Sequence, residues 1–359
     1  MNQNLLKGLL VLLVVVDHND FVRDVFPDFL RGFSFHVVGF MAIPFFRPAP
    51  ALDRHFSRYI FRLYFPFFLI VTIMAFVIAK VDAIDPLRQL GLWVHSLYSG
   101  NSEVLKQTTH MAMLWYLPSF ISLVIIRTVM ERAGSVVKAL MIAALWAIHP
   151  LIGPWAQSLQ DYLPLGVMPA LYVIPLAYLI IFGHRHLFGK LSPILGIFIT
   201  VALYMLVKML QIDANLYNEV GFAKVADYSK PFALLLNDLE AVTGVWMVLQ
   251  FACLPLSQAI ESAGKYSLQV YLFHPFVAGA MYYILRTTTS GINALLLFFI
   301  SFGMTAVLTI LLSRYIATHT GVRPLLFPRT PHELASALRL PFATRRSAST
   351  VTVDAHNDR

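Results

Sequence analysis

Ten stretches of this sequence are apolar over lengths that approach the thickness of a bilayer, and that succession leaves few folds open. They fall near residues 3–18, 33–47, 60–79, 111–130, 136–151, 166–183, 191–210, 232–256, 266–285 and 291–313. In hydrocarbon every backbone N–H and C=O must be satisfied within its own segment, and about 20 apolar residues are needed to cross. The expectation is an all-α, polytopic integral membrane bundle of about ten transmembrane helices over residues 1–313. Charged residues make up 13% of the chain, against about 25% in soluble domains. No room is left for a separate soluble domain beyond residues 314–359, a basic tail expected to be disordered after about 323.

Orientation follows from the basic residues. With the N-terminus in the cytoplasm, 18 of the 27 lysines and arginines fall on the inner side. The positive-inside rule therefore expects both termini to be cytoplasmic. Lys7 ahead of a short apolar core has the look of a secretory signal, but Asp17-His18-Asn19-Asp20 replaces a small-residue cleavage site, so the first segment is read as a retained helix. The acidic stretch 17–32 fits the outer face. Residues 87–98, too short to cross, are expected to lie amphipathically at an interface.

Several functions are excluded at this level. Cys253 is the only cysteine, which rules out an internal disulfide framework or a cysteine metal site. The formal charge of +8 is dispersed between apolar segments rather than gathered on one module, which argues against nucleic acid. No zinc-protease, phosphate-loop or nucleophile-elbow motif appears, and His184 and His186 around Arg185 are read as a topology signal rather than as metal ligands. No internal repeat supports a transporter built on inverted repeats.

What remains is a small set of polar residues inside apolar helices, where their cost makes function the default hypothesis. In LLKGLLVLLVVVDH (5–18), Lys7 and His18 return to nearly one helix face about 16 Å apart. Asp17 is expected to point about 100° away from His18 and to take no part. His36 stands at the outer end of the second segment, on the same side of the membrane as His18, so the pair can handle a proton. Arg58 and Arg62 share a face at the inner start of the third segment, where guanidinium forks suit phosphate oxygens. His274, before Pro275, lies about 13 Å beyond Lys265, near the midplane. Idle readings exist for each: snorkelling for Lys7, wetted interfaces for His18 and His36, topology for the arginines, a structural hydrogen bond for His274.

Taken in order, LLKGLLVLLVVVDH (5–18), FHVVGFMAIPFF (35–46), RYIFRLYFPF (58–67), MLWYLPSFIS (113–122) and YSLQVYLFHP (266–275) resemble the membrane acyltransferase family 3, ten-helix inner-membrane proteins that O-acylate surface carbohydrates. Lys7 and His18 meet that family's basic residue, ten residues, histidine pattern. Phe35-His36 and Phe45-Phe46 keep parts of its second motif, whereas Val37-Val38 replace Met-Pro and Arg47-Pro48 stand where Ser-Gly is usual. The resemblance implies transfer of an acyl group, usually acetyl from acetyl-CoA, to a sugar hydroxyl of a cell-surface glycan or lipid-linked sugar, in a bacterial inner membrane and with no metal. On this reading His18 is the general base and His36 a second proton carrier. Lys7, Arg58 and Arg62 receive the CoA phosphates, and His274 lies where the pantetheine arm passes. Succinyl transfer, and export of a polysaccharide or lipid-linked sugar, are the alternatives the family leaves open.

Overall fold

A computed structural model of the chain describes residues 2–25, 35–51, 54–213, 231–289 and 292–338. Helices α1 (Gln3–Asp17), α2 (Asp20–Val25), α3 (Phe35–Ala42), α4 (Arg54–Val81), α5 (Pro86–Ser99), α6 (Ser102–Thr109), α7 (Tyr116–Met130) and α8 (Ser135–Tyr162) form the first half. They are followed by α9 (Val167–His186), α10 (Pro193–Asp213), α11 (Pro231–Phe251), α12 (Gln258–Lys265), α13 (Ser267–Thr288), α14 (Ala294–Thr318), α15 (Arg323–Leu326) and α16 (Pro331–Ala337). Among the described residues there is no strand, and the fold is an all-α, multi-pass membrane bundle.

Ten of these helices, α1, α3, α4, α7 to α11, α13 and α14, fall on the ten apolar stretches. Six helical segments, Phe56–Val81, Ala112–Met130, Pro164–Lys190, Pro193–Leu210, Ser267–Thr288 and Ala294–Thr318, are long and apolar enough to cross a membrane. α1 and α3 are shorter, and each has an identifiable cause. α3 gives way at Pro44 to a 3₁₀ turn, Ile43–Phe46, and Arg47 continues in an extended conformation (φ −119°, ψ 160°). α1 ends at Asp17, with His18 as its cap. α11 carries Asp238 and Glu240 in its interior; Tyr172 and Trp146 donate to the first and Lys208 pairs with the second at 2.6 Å.

α1 is central. Leu6 and Leu10 belong to one buried cluster with residues of α3, α7, α9 and α11, whereas Val11, Val14 and Val15 belong to another with residues of α4, α7 and α13. A helix buried on both sides must be apolar nearly all round, which is what its leucines and valines provide. The peripheral helices instead turn large apolar side chains outward, Ile73 and Phe76 on α4, Phe198 on α10 and Val307 on α14 among them. This is the pattern of a lipid-facing perimeter.

Two glycines let α12 lie against α1. A Cβ on Gly8 would stand 1.9 Å from the Ile260 carbonyl oxygen, and one on Gly264 would stand 1.6 Å from that of Asn4. Because Cβ positions tilt toward a helix's N-terminus, this reciprocal relation sets the two glycines level on roughly parallel helices. Such small-residue contacts are how membrane helices approach closely. Asn2 caps α1 and also donates to Glu261 at 3.0 Å.

The α5 segment, 14 residues long, is not among the helices long and apolar enough to cross. It is held beside α4 and α6 by buried Gln89, which donates to Ala75 and Thr108, and by Ser96, 2.7 Å from Thr108. Residues 323–338, expected to be without order, fold as two short helices. Glu333 gathers Arg323 and the backbone N–H groups of Arg329 and, through Thr330, its own turn. Phe327 is buried against Phe273. The acidic stretch 17–32 and the tail both run on into residues outside those described.

Candidate active site

His18 ends α1 in a conformation (φ −93°, ψ 12°) that no longer follows the helix. Its backbone N–H and its ring Nδ1 both lie against the Val14 carbonyl, the ring at 3.0 Å. In the neutral ring Nδ1 is then the nitrogen that carries hydrogen and Nε2 the one that can accept. Departure from the helix also explains the position of Asp17. The 100° step expected between neighbours does not hold at the cap, and the Asp17 carboxylate lies 3.9 Å from His18 Nδ1 and 3.9 Å from His36 Nε2. Asp17, set aside on helical geometry, in fact sits between the two histidines.

His274 comes in from the other side. Its ring meets that of His18 edge to face, centroids 5.1 Å apart at 78°. Nδ1 donates to the carbonyls of Tyr271 at 2.8 Å and Val270 at 3.2 Å, while buried Nε2 has no partner among the described residues. The glycine crossing explains the meeting. His18 stands ten residues beyond Gly8 and His274 ten beyond Gly264, about 15 Å of rise in each case. His274 thus belongs with the other two histidines and feels the charge of both. His36 and His274 are fully buried, whereas the His18 and Asp17 side chains are 35% and 36% exposed. Of the three imidazoles, His18 is therefore the one that a hydroxyl arriving from outside the bundle can reach.

At the other end of α1, Lys7 is half-buried and lies within electrostatic reach of Arg47 and Arg62. Among the described residues none of these three cations has a carboxylate partner. Arg58, one turn before Arg62 on α4, is exposed on the same face. The structure sets Arg62 within electrostatic reach of Lys7 and adds Arg47, which sequence reasoning passed over even though it stands where the resembling family has Ser-Gly.

Between the two ends runs a column of phenols. Tyr59 senses Arg62, Tyr116 senses Tyr59 and Tyr271, and the Tyr116 and Tyr271 rings are 5.2 Å apart. Tyr271, 6.1 Å from the His274 ring, donates its hydroxyl to the Met113 carbonyl. Tyr116 and Tyr271 both fall in stretches that carried the resemblance, but only the fold shows that they face each other.

The arrangement can accept a proton at one end and hold an anion at the other. No group of three metal-ligating side chains occurs among the described residues. A family model described as an acyltransferase domain matches residues 3–314. No curated protein and no solved structure matches the chain.

Proposed function

From the premise that this chain belongs to the acyltransferase 3 family, we propose that it moves an acyl group, acetyl in the first instance, from acyl-CoA to a sugar hydroxyl of a cell-surface glycan or lipid-linked sugar. The supporting observation is the polarity of α1: three imidazoles and a carboxylate at one end, and at the other three cations that have no carboxylate partner among the described residues. In this reading the protein sits in a bacterial inner membrane with both termini cytoplasmic. Lys7, Arg58, Arg62 and Arg47 face the cytoplasm and hold the CoA phosphates. The thioester arm follows Tyr59, Tyr116 and Tyr271 toward His274.

A thioester is already activated, so the protein must position it, remove a proton from a weakly acidic hydroxyl and stabilise an oxyanion. The sugar hydroxyl gives its proton to His18 Nε2 as its oxygen bonds to the thioester carbonyl carbon. The tetrahedral intermediate then collapses with cleavage of the carbon–sulfur bond. The CoA thiolate leaves and takes the proton from the imidazolium. Asp17 stabilises that imidazolium while it exists, and His36, across the same carboxylate, is a second group that can hold the proton before the thiolate takes it.

Mass spectrometry of the surface glycan from cells carrying wild type, His18→Ala or no protein tests this. Loss of an acetyl mass in the variant, with polymer still exported, is expected; a succinyl mass would change the donor but not the chemistry. Unmodified polymer trapped inside, with no acyl difference, would instead make the chain an exporter.

A further inference from the structure

Arg127, in the last turn of α7, is buried and bound to backbone rather than to a carboxylate. Nη1 donates to the Pro44 carbonyl at 2.7 Å and Nη2 to the Arg47 carbonyl at 2.5 Å. The guanidinium lies over the Phe45 ring, 4.8 Å from its centroid. One side chain therefore gathers the Pro44 carbonyl, which also accepts the Arg47 backbone N–H, and the Arg47 carbonyl at the end of the Ile43–Phe46 turn. The chain departs there in extended form with the Arg47 side chain exposed.

The charges divide the work between these two arginines. Arg127 lies within electrostatic reach of Glu131, which itself accepts from Lys138 and Tyr178, and each Nη of Arg127 donates to a backbone carbonyl. Arg47 makes no side-chain hydrogen bond or ion pair among the described residues and acts, with Arg62, on Lys7. Like charges held together without a counter-charge repel one another, and a polyanion relieves that repulsion.

We propose that Arg47 is a full member of the anion site at the Lys7 end of α1, taking a phosphate of a nucleotide-bearing donor, and that Arg127 is the positioning residue that holds it there. This rests on the reading that the donor is acyl-CoA. Substituting Arg127 acts through Arg47, because both Nη atoms of Arg127 are given to backbone carbonyls, one of them that of Arg47.

The test uses the full chain in lipid nanodiscs and measures binding of CoA, of pantetheine, which lacks the nucleotide and phosphates, and of inorganic pyrophosphate. Arg47→Ser and Arg127→Gln are each expected to weaken CoA and pyrophosphate binding roughly tenfold, to leave pantetheine unchanged, and to show their loss in KM for acetyl-CoA. The double variant is expected to be no weaker than either single one. Arg127→Lys, able to serve one carbonyl, recovers part of the loss. Because Arg47 is exposed, Arg47→Ser keeps the test decisive even where Arg127→Gln does not fold. CoA binding that ignores Arg47→Ser, losses that multiply in the double variant, or an equal loss for pantetheine would overturn the proposal. Pyrophosphate binding that depends on Arg47, without CoA binding, would uphold the anion site and remove acyl-CoA as its ligand.

Discussion

The rings of His18 and His274 meet edge to face with centroids 5.1 Å apart, although one caps the first helix and the other lies inside the thirteenth. Their meeting depends on the crossing of α1 and α12 at Gly8 and Gly264. A chemical pair is thereby tied to a packing contact about 15 Å away.

The first prediction concerns the base. His18→Ala should lower acetyl-CoA-dependent transfer about 10²- to 10⁴-fold, the usual contribution of general-base catalysis, while CoA binding persists. Asp17→Asn should cost about tenfold in kcat, because the imidazolium then lacks its nearby negative charge. Thiol release by the purified chain measures both. Full activity in His18→Ala would remove the imidazole from the mechanism.

Gly264→Ala should destabilise the bundle by about 3 kcal/mol or more, because both neighbours of the new methyl are backbone atoms that cannot turn aside. Gly279→Ala, on α13 with nothing within 4 Å of its Cβ position, is the control and should be neutral or mildly stabilising. Thermal unfolding in detergent compares them. Equal melting temperatures would contradict the crossing.

Tyr116 offers a hydroxyl midway along the phenol column. Tyr116→Phe should raise KM for acetyl-CoA about threefold to tenfold, as loss of one hydrogen bond implies. Tyr116→Ala, which also opens the column between Tyr59 and Tyr271, should cost more. Steady-state kinetics with saturating acceptor separates the two, and an unchanged KM in both variants would place the donor's route elsewhere.

Glu131, just beyond the end of α7, gives a pH dependence. Burial alone would raise its carboxyl, but the hydrogen bonds from Lys138 and Tyr178, with the charges of Lys138 and Arg127, outweigh that and hold it below its ordinary range. The folded state then binds the proton less readily than the unfolded one. Its stabilisation is present above about pH 4.3 and is lost as the pH falls through the depressed folded value. Wild type should therefore lose more melting temperature than Glu131→Gln on going from about pH 5 to about pH 3. Parallel curves would count against the assignment.

Apolar run length and the rarity of charge determine the class of fold by themselves, because a bilayer permits few ways to satisfy a backbone. Helical spacing placed Lys7 and His18 at opposite ends of one helix, since that relation is local. Asp17 was misjudged because its position depends on where α1 stops, and His274 was placed by depth alone. Arg47 and Arg127 showed nothing in the sequence of the bond that joins them, and the two glycines looked like any others. Those relations join residues distant along the chain, and contacts between helices are set by side-chain packing that no single helix's periodicity contains.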